Sequence, residues 1–286
     1  MTEATATQPL RRSLLFVPGD RPDRIRKAAG LPADAVILDL EDGVDLSRKE
    51  EARRSVARAL ETVDFGEREV MVRLNGPGSA FFPADLEALR AFPRFPDTLM
   101  LPKVDSPAHL AEVSDALDRH GIACGLIPCV ESAAGVLAAP EIARASGRNT
   151  GLMFGGFDFS ADIGAAPHWE AQLHARSRVV LAAAAARIEP IDSPYDDYHD
   201  PDTLAELSRR ARRLGFTGKC AIHPAQLDVI NQAFSPTPEE VAHARRVVEA
   251  ARAQGSGAIA VDGKMVDMAV VRIAQRTVAL AERIGL

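Results

Sequence analysis

Eight short apolar runs, separated by stretches of helical character, constrain the fold of this chain more than any other feature. Several are nearly continuous in Val, Ile, Leu and Met, a pattern typical of strands buried on both faces. Alternating strands and helices predict parallel pairing with right-handed crossovers. Eight such units predict an α/β fold of the TIM (β/α)8 barrel type. The runs are Ser13–Val17, Ala35–Glu41, Glu69–Asn75, Thr98–Val104, Gly125–Glu131, Gly151–Phe159, Arg187–Asp192 and Gly218–His223.

An open, doubly wound sheet is the alternative architecture. Its G-x-G-x-x-G fingerprint is absent after the first run, where residues 18–22 read PGDRP. We therefore predict a catalytic barrel over residues 11–235. Residues 236–286 are predicted to form a C-terminal helical lid with a glycine-serine hinge at 254–257, and a surface tail is the alternative. Residues 1–10 are small and polar, which predicts a disordered tail and not a signal peptide.

The composition argues against several kinds of partner. A formal net charge of −6 disfavours binding to nucleic acid or to an anionic membrane. No run approaches the ~20 apolar residues that a membrane-spanning helix needs. The three cysteines, Cys124, Cys129 and Cys220, form no C-x-x-C pair, which argues against a disulfide framework or a zinc site. A reducing cytoplasm therefore fits the chain best.

Polar residues follow the apolar runs, at the end of a barrel where catalytic groups belong. Charged side chains next to buried strands are costly unless they are paired or used. Their number predicts that they meet at one polar mouth of the barrel. They are Glu41, Asp42, Arg73, Asn75, Lys103, Glu131, Asp158, Asp192 and His223.

Glu131 and Asp158 are the predicted ligands of a Mg²⁺ ion, because they end neighbouring strands of the predicted barrel. Mg²⁺ is usually held by one or two carboxylates, with water and substrate oxygens in the other positions. No His/Cys pattern suggests zinc instead. The alternative is that both carboxylates form salt bridges with Lys103 or Arg73.

Arg73 and Lys103 each allow two interpretations. The planar fork of Arg73 suits a substrate carboxylate, although a buried ion pair with Glu41 or Asp42 is the alternative. Lys103 could form a Schiff base, as in a class I aldolase. Its acidic surroundings favour a protonated amine and an ion-pairing role.

Three basic residues, Arg21, Arg24 and Lys27, begin the first predicted helix at spacings of three. They could hold phosphates beside the helix N-terminus. A solvated basic face is the alternative.

Nine segments of the chain resemble the citrate lyase beta-subunit-like family, which includes malyl-CoA and citramalyl-CoA lyases. The resemblance extends over residues 11–286. The matching segments are LFVPGDRPDRIRK (15–27), VILDLEDGV (36–44), VRLN (72–75), MLPKV (100–104), IPCVESA (127–133), FGGFDF (154–159), GFTGKCAIHP (215–224), FSPTPE (234–239) and DGKMVD (262–267).

This resemblance implies a Mg²⁺-dependent barrel enzyme that acts on coenzyme A or acyl-carrier thioesters, usually as a trimer or a multiple of one. It implies that Glu131 and Asp158 bind the metal and that Arg73 binds the carboxylate of an oxo acid. The basic residues of the first helix would approach the phosphates of coenzyme A.

The resemblance also implies roles for four further residues. Glu41 and Asp42 would hold metal-bound water, and Lys103 would order this acidic cluster. Asp267 resembles the family's C-terminal aspartate, which reaches a neighbouring subunit's active site across the closed lid.

Phe157 departs from the family pattern, in which a glutamate often precedes the metal-binding aspartate. The place of Phe157 beside the metal-binding aspartate implies that it contacts the substrate. The change from glutamate leaves the identity of that substrate open. The expected reaction is cleavage of a 3-hydroxy-acyl-CoA, such as malyl-CoA or citramalyl-CoA, to an acyl-CoA and a 2-oxo acid. The alternatives are a thioesterase or malate-synthase-type activity, a pyruvate aldolase without coenzyme A, and a citrate lyase beta subunit acting on an acyl carrier within a complex.

Overall fold

A computed structural model describes residues 9–254 and 259–286 of the chain. Residues 1–8 of the predicted tail, and residues 255–258 around the predicted hinge, lie outside this range. The chain divides into two compact units, the first ending at Asn231 and the second beginning at Gln232.

The first unit is a closed barrel of eight parallel strands in chain order, so the predicted fold is confirmed. The first and last strands close it, with Leu15 opposite both Val36 and Ala221. The strands are β1 (Ser13–Pro18), β2 (Ala35–Asp39), β3 (Glu69–Arg73), β4 (Thr98–Leu101), β5 (Gly125–Val130), β6 (Gly151–Phe154), β7 (Glu189–Asp192) and β8 (Gly218–Ala221).

The prediction that strand six extends to Phe159 was wrong, because β6 ends at Phe154. Residues Gly156–Asp162 form a short helix instead, so Asp158 lies in a helix's first turn and not at a strand end. Two consecutive glycines after Phe154 weaken an extended conformation, and an acid in a first turn favours a helix. Five other predicted strands, β2, β3, β4, β5 and β8, also end earlier, which leaves most of their terminal polar residues in the loops of the mouth. Strand β7 ends at Asp192 as predicted, and β1 extends one residue further than predicted, to Pro18.

Helices connect the strands. They are α1 (Pro22–Ala28), α2 (Lys49–Thr62), α3 (Phe82–Arg90), α4 (Pro107–Arg119), α5 (Ala133–Leu137), α6 (Ala139–Arg144), α7 (Gly156–Asp162), α8 (Trp169–Ala186), α9 (Pro201–Leu214) and α10 (Leu227–Phe234). Short 3₁₀ turns occupy Leu46–Arg48 and Pro224–Gln226.

The sequence explains both ends of α9. The Asp200 side chain accepts a hydrogen bond from the Thr203 backbone N–H at 3.0 Å, and Pro201 fits the first helical position, which needs no N–H donor. Gly215 ends the helix with a φ of 116°, a left-handed conformation that glycine adopts without strain.

Apolar and sulfur-containing side chains fill the barrel interior. Ile37, Met71 and Ile127 belong to this core, and the Cys129 Sγ lies 3.4 Å from the Met153 Sδ. All three cysteines of the chain are buried. Burial raises the pKa of the Cys124 thiol to about 11 and that of the Cys220 thiol to about 12.

A buried arginine joins strands at the amino-terminal end of the barrel. Arg11 donates two hydrogen bonds to the Glu69 carboxylate, at 2.6 and 2.7 Å. It also donates to the Thr150 carbonyl and to the Glu189 carboxylate, both at 3.1 Å. One guanidinium therefore ties together the first residues of β3 and β7 and the loop before β6.

The second unit contains α11 (Pro238–Gln254), β9 (Ile259–Val261), β10 (Lys264–Val266) and α12 (Met268–Arg283). Strands β9 and β10 pair antiparallel around Asp262 and Gly263, both at positive φ, as a type I′ hairpin turn requires. Val247, Val261 and Val271 belong to the unit's own apolar core. Within the described residues, no helix is both long and apolar enough to span a bilayer.

Candidate active site

Arg73 is held at the barrel mouth by two carboxylates. Its Nε and Nη2 each donate to the Asp39 carboxylate at 2.7 Å, and its Nη1 lies 3.0 Å from the Glu41 Oε2. The guanidinium also stands over the Phe16 ring, 4.5 Å from its centroid. The ion pair with Glu41 was the predicted alternative, whereas the two-point pairing with Asp39 was not predicted.

Asp39 is the residue that sequence reasoning missed. Its carboxylate accepts backbone hydrogen bonds from Glu41 at 2.9 Å and Gly43 at 2.8 Å. Burial alone would raise its pKa, but Arg73 and the two backbone donors outweigh burial and lower it. An acid at the end of the apolar run Ala35–Leu38 was the available signal, because a buried charge needs a partner.

The Lys103 side chain lies against the acidic cluster of Glu41 and Asp42. Its Nζ donates to the Glu41 Oε1 at 2.5 Å and lies 3.5 Å from the Asp42 Oδ2. Burial lowers the pKa of the Lys103 amine, but the hydrogen bond and the charge of Glu41 outweigh that effect and raise it. A protonated amine is not a nucleophile, so this environment disfavours a Schiff base.

The Lys103 backbone holds another carboxylate. Its φ of 55° is left-handed, a conformation that costs a non-glycine residue free energy and is often retained at functional sites. Its N–H donates to the Glu131 Oε1 at 2.7 Å. The residue therefore contacts Glu41 through its side chain and Glu131 through its backbone.

Glu131 is buried among other acids. Burial, followed by the charges of Glu41 and Asp158, raises the pKa of Glu131 to about 8. Gly155 packs against this carboxylate so closely that a Cβ there would overlap it. The glycine after β6 is therefore required for Glu131 to occupy its place.

Asp158 lies exposed in the first turn of α7 and forms no hydrogen bond or ion pair with any described residue. Its charge nevertheless raises the pKa of Glu131, so the structure brings the two predicted metal ligands into one electrostatic environment. Phe157 precedes it on the same turn and is 37% exposed.

The donor set fits a hard cation such as Mg²⁺. The buried Glu41 Oε2 accepts no hydrogen bond, because its contact with Arg73 is poorly aligned. Repulsion among Glu41, Glu131 and Asp158 is what a divalent cation would relieve. Among the described residues, no group of three or more His, Cys, Asp or Glu is arranged to hold a metal. Mg²⁺ is usually held by one or two carboxylates, with water and substrate oxygens in the other positions.

Other predicted polar residues have structural partners. Asp192 is fully buried and pairs with Lys219 at 2.7 Å and Arg176 at 2.9 Å. Asn75 donates to Asp85 at 2.7 Å. His223 accepts a hydrogen bond from the Ala225 N–H and stacks on the Tyr198 ring, with 4.3 Å between centroids.

The basic residues of the first helix lie outside the charge cluster of the mouth. Arg21 precedes α1, and Arg24 and Lys27 lie within it; all three are exposed. Arg21 Nε lies 3.9 Å from the Asp20 carboxylate. In the second unit, Asp267 is the N-cap of α12 and accepts hydrogen bonds from the Ala269 and Val270 N–H groups at 2.9 and 3.0 Å.

Two family patterns match the chain. Residues 12–224 match the HpcH/HpaI aldolase/citrate lyase family. Residues 165–286 match a carbon–carbon bond lyase family of the TIM-barrel fold.

Three curated relatives illustrate these matches. Mitochondrial citramalyl-CoA lyase of Rattus norvegicus is 39% identical, over 96% of this chain and 87% of that protein. Citrate lyase subunit beta of Leuconostoc mesenteroides subsp. cremoris is 36% identical, over 95% of this chain and 93% of that protein. The (3S)-malyl-CoA thioesterase of Cereibacter sphaeroides (strain KD131 / KCTC 12085) is 37% identical, over 96% of this chain and 95% of that protein.

A solved structure matches the same fold. The crystal structure of CitE from Mycobacterium tuberculosis, in complex with magnesium, acetoacetate and coenzyme A, has a TM-score of 0.82 and 36% sequence identity. The match covers 96% of this chain and 99% of that chain.

Proposed function

Because the chain belongs to the HpcH/HpaI aldolase/citrate lyase family, we propose that it is a magnesium-dependent lyase that cleaves the carbon–carbon bond of a 3-hydroxy-acyl-CoA, yielding an acyl-CoA and a 2-oxo acid. The relatives confirm the predicted family, the lyase class and the dependence on magnesium. One observation carries the proposal for this chain: the buried carboxylates of Glu131 and Glu41 are both held by Lys103, through its backbone N–H and its Nζ, in a cluster of acids that a divalent cation would neutralise.

Glu131 and Asp158 would hold the Mg²⁺ ion. Its placement is supported by the mutual repulsion of these carboxylates and by the unpartnered side chain of Asp158. When bound, Mg²⁺ supplies Lewis-acid polarisation of the substrate oxygens.

Arg73 would orient the carboxylate of the oxo-acid half of the substrate. Asp39 and Phe16 fix the guanidinium in one place, so little side-chain entropy is lost when substrate binds. The positive charge of the Arg73 guanidinium would also help to neutralise the negative charge of the substrate carboxylate inside the mouth.

Glu41 and Asp42, ordered by Lys103, would hold water near the scissile bond. A water held by Asp42 would accept the proton of the 3-hydroxyl as the bond breaks. Asp42 is the more exposed of the two acids, which supports its contact with solvent. In the direction of synthesis, Asp267 of another subunit would take a proton from the acetyl methyl group.

Arg21, Arg24 and Lys27 would bind the phosphates of coenzyme A. Arg24 and Lys27 are exposed and have no ion-pair partner among the described residues, so their charges are available to an anion. This supports a thioester of coenzyme A over a substrate without phosphates.

Phe157 would contact the substrate beside Asp158. An aromatic ring there, in place of the acid common in the family, removes a negative charge and presents an exposed apolar surface next to Asp158. Replacing Phe157 with Glu is expected to change the ratio of kcat/KM values for malyl-CoA and citramalyl-CoA; an unchanged ratio would exclude a role in specificity.

We also propose a cytoplasmic trimer, or a multiple of one, in which residues 236–286 form a lid. Met265, Met268 and Ile273, near Asp267, are exposed to 81%, 53% and 63%. Apolar surface of this kind supports packing against another subunit. Three buried free cysteines support a reducing compartment.

The experiment is an assay of the purified protein with malyl-CoA and citramalyl-CoA. We expect release of acetyl-CoA together with a 2-oxo acid, loss of both products in EDTA, and recovery with Mg²⁺. Glu131→Gln should lose the metal-dependent turnover. A fully active Glu131→Gln variant would contradict the metal assignment.

Thioester hydrolysis is the second candidate, because one relative is a (3S)-malyl-CoA thioesterase at 37% identity. It predicts free coenzyme A with the carbon skeleton of the acid intact, which the same assay separates from cleavage. Activity confined to an acyl-carrier thioester would instead support the citrate lyase beta-subunit alternative.

A further inference from the structure

A buried polar network lies behind α7, the helix that carries Asp158. Gln172 and Arg176 are four residues apart on α8 and are only 4% and 6% exposed. Polar side chains of this length are rarely buried without a specific partner. Neither belongs to the charge cluster of the mouth.

Gln172 holds α7 at two points. Its Nε2 donates to the Gly156 carbonyl and to the Ser160 Oγ, both at 2.7 Å. Asp158 lies midway between these residues along the chain. A helix of seven residues is marginal by itself, so tertiary contacts must set its position.

Arg176 fixes which way the Gln172 amide faces. Its Nη1 donates to the Gln172 Oε1, and since a guanidinium can only donate, the amide NH₂ must face α7. Arg176 is itself held by Asp192 at 2.9 Å and by the Ser193 Oγ at 3.2 Å. Its guanidinium also stacks over Phe154, 5.0 Å from the ring centroid.

The barrel strands anchor this chain of contacts. Lys219 on β8 donates to Asp192 at 2.7 Å and to the Ser193 carbonyl at 2.6 Å. Gly156 packs directly on the network, since a Cβ there would lie 2.9 Å from the Ser193 Oγ. Hydrogen bonds therefore run without a break from β7 and β8 to both sides of Asp158.

We propose that Gln172, held by Arg176, is a positioning residue that places Asp158 for the divalent cation, an inference that rests on the proposed function. Asp158 has no side-chain partner of its own among the described residues, so only its backbone fixes where its carboxylate lies. Residues that hydrogen-bond directly to metal ligands commonly change metal affinity 10- to 100-fold, and Gln172 would act less directly, through the backbone of α7, so we expect an effect at the lower end of that range.

The test measures Mn²⁺ affinity by electron paramagnetic resonance and Tm by calorimetry, on the full chain. Gln172→Met keeps the length of the side chain but removes its donors, and we expect Mn²⁺ to bind about tenfold more weakly. Ser160→Ala removes one of the two contacts and should give a smaller loss. Arg176→Lys keeps the charge paired with Asp192 and should also weaken Mn²⁺ binding, since it frees the Gln172 amide.

Asn149 provides the matched control. It is another buried amide, in the loop before β6, and its Nδ2 donates to two carbonyls of α6, those of Ile142 at 2.9 Å and Ala143 at 3.2 Å. Asn149→Leu should lower Tm but leave Mn²⁺ affinity unchanged. This separates positioning from a general loss of stability.

The outcomes distinguish this inference from the proposed function. Normal Mn²⁺ binding by the wild type, with no weakening in Gln172→Met or Ser160→Ala, would overturn the positioning role alone. A wild type whose Mn²⁺ binding is absent, or is unaffected by Glu131→Gln, would overturn the metal site and the inference with it.

Discussion

We expect one carboxyl group, Glu131, to contribute strongly to the pH dependence of stability in the metal-free protein. Burial raises its pKa from the ordinary 4.5 to about 8, so between these values the folded state binds more protons than the unfolded state. The free energy of unfolding must therefore fall as pH rises through this window, by on the order of 1 kcal/mol for each pH unit.

Urea unfolding in EDTA at pH 6 and pH 8 measures this dependence. Glu131→Gln should flatten it relative to the wild type, because an amide does not titrate. An equal or steeper fall in the variant would show that other groups cause the dependence.

Individual residues at the mouth differ in how far sequence could predict them. Arg73 and Lys103 were recognisable because a cation directly after an apolar run stands out. The partner of Arg73 could not be recognised in the same way, because the contact between Asp39 and Arg73 joins residues 34 positions apart. The left-handed φ of Lys103 was equally hidden, since it depends on Glu131 accepting its N–H from the next strand.

Helix α12 begins at a residue that has two candidate roles. Asp267 is its N-cap, and replacing such a cap with Ala typically costs about 1 kcal/mol. Asn caps as well as Asp but cannot act as a base. We therefore expect Asp267→Asn to keep the wild-type Tm and lose turnover, and Asp267→Ala to lose both.

Calorimetry measures the capping role of Asp267 through Tm, and the lyase assay measures its role as a base through turnover. Full turnover in Asp267→Asn would leave capping as the only function of this side chain.

The start of each strand was more predictable than its end. Apolar runs mark where the chain is buried, and most predicted strands begin where the observed ones do. Six of the eight ends were placed too late, because the polar residues that follow continue the same extended pattern in sequence. At β6 the error moved a predicted metal ligand, because the chain turns at Gly155 and Gly156 into α7. Asp158 therefore lies in the first turn of this helix and not at the end of a strand.

Across the whole barrel, Arg11 closes the end opposite the mouth. Arg11→Met would leave Glu69 and Glu189 without this partner near the base, and breaking a buried pair in this way costs about 3–5 kcal/mol. We expect a large fall in the free energy of unfolding with kcat/KM unchanged at temperatures where the variant is folded.

The control is Arg90→Met, which removes an exposed ion pair with Glu87 and should have a far smaller effect. A comparable fall in both variants would contradict the importance of the buried pair. The barrel of eight strands was predictable from the alternation of apolar runs and helical stretches. The ion pairs of Arg11 with Glu69 and Glu189 were not, because Arg11 precedes the first apolar run.

The buried sulfurs of the barrel have a practical consequence for spectroscopy. Thiolates are the reactive form of cysteine, and all three native thiols are shielded, with the pKa of Cys220 raised to about 12. A cysteine introduced at exposed Met265 would thus react first with a maleimide fluorophore or nitroxide. Motion of the C-terminal unit during turnover could then be followed without first removing any native cysteine.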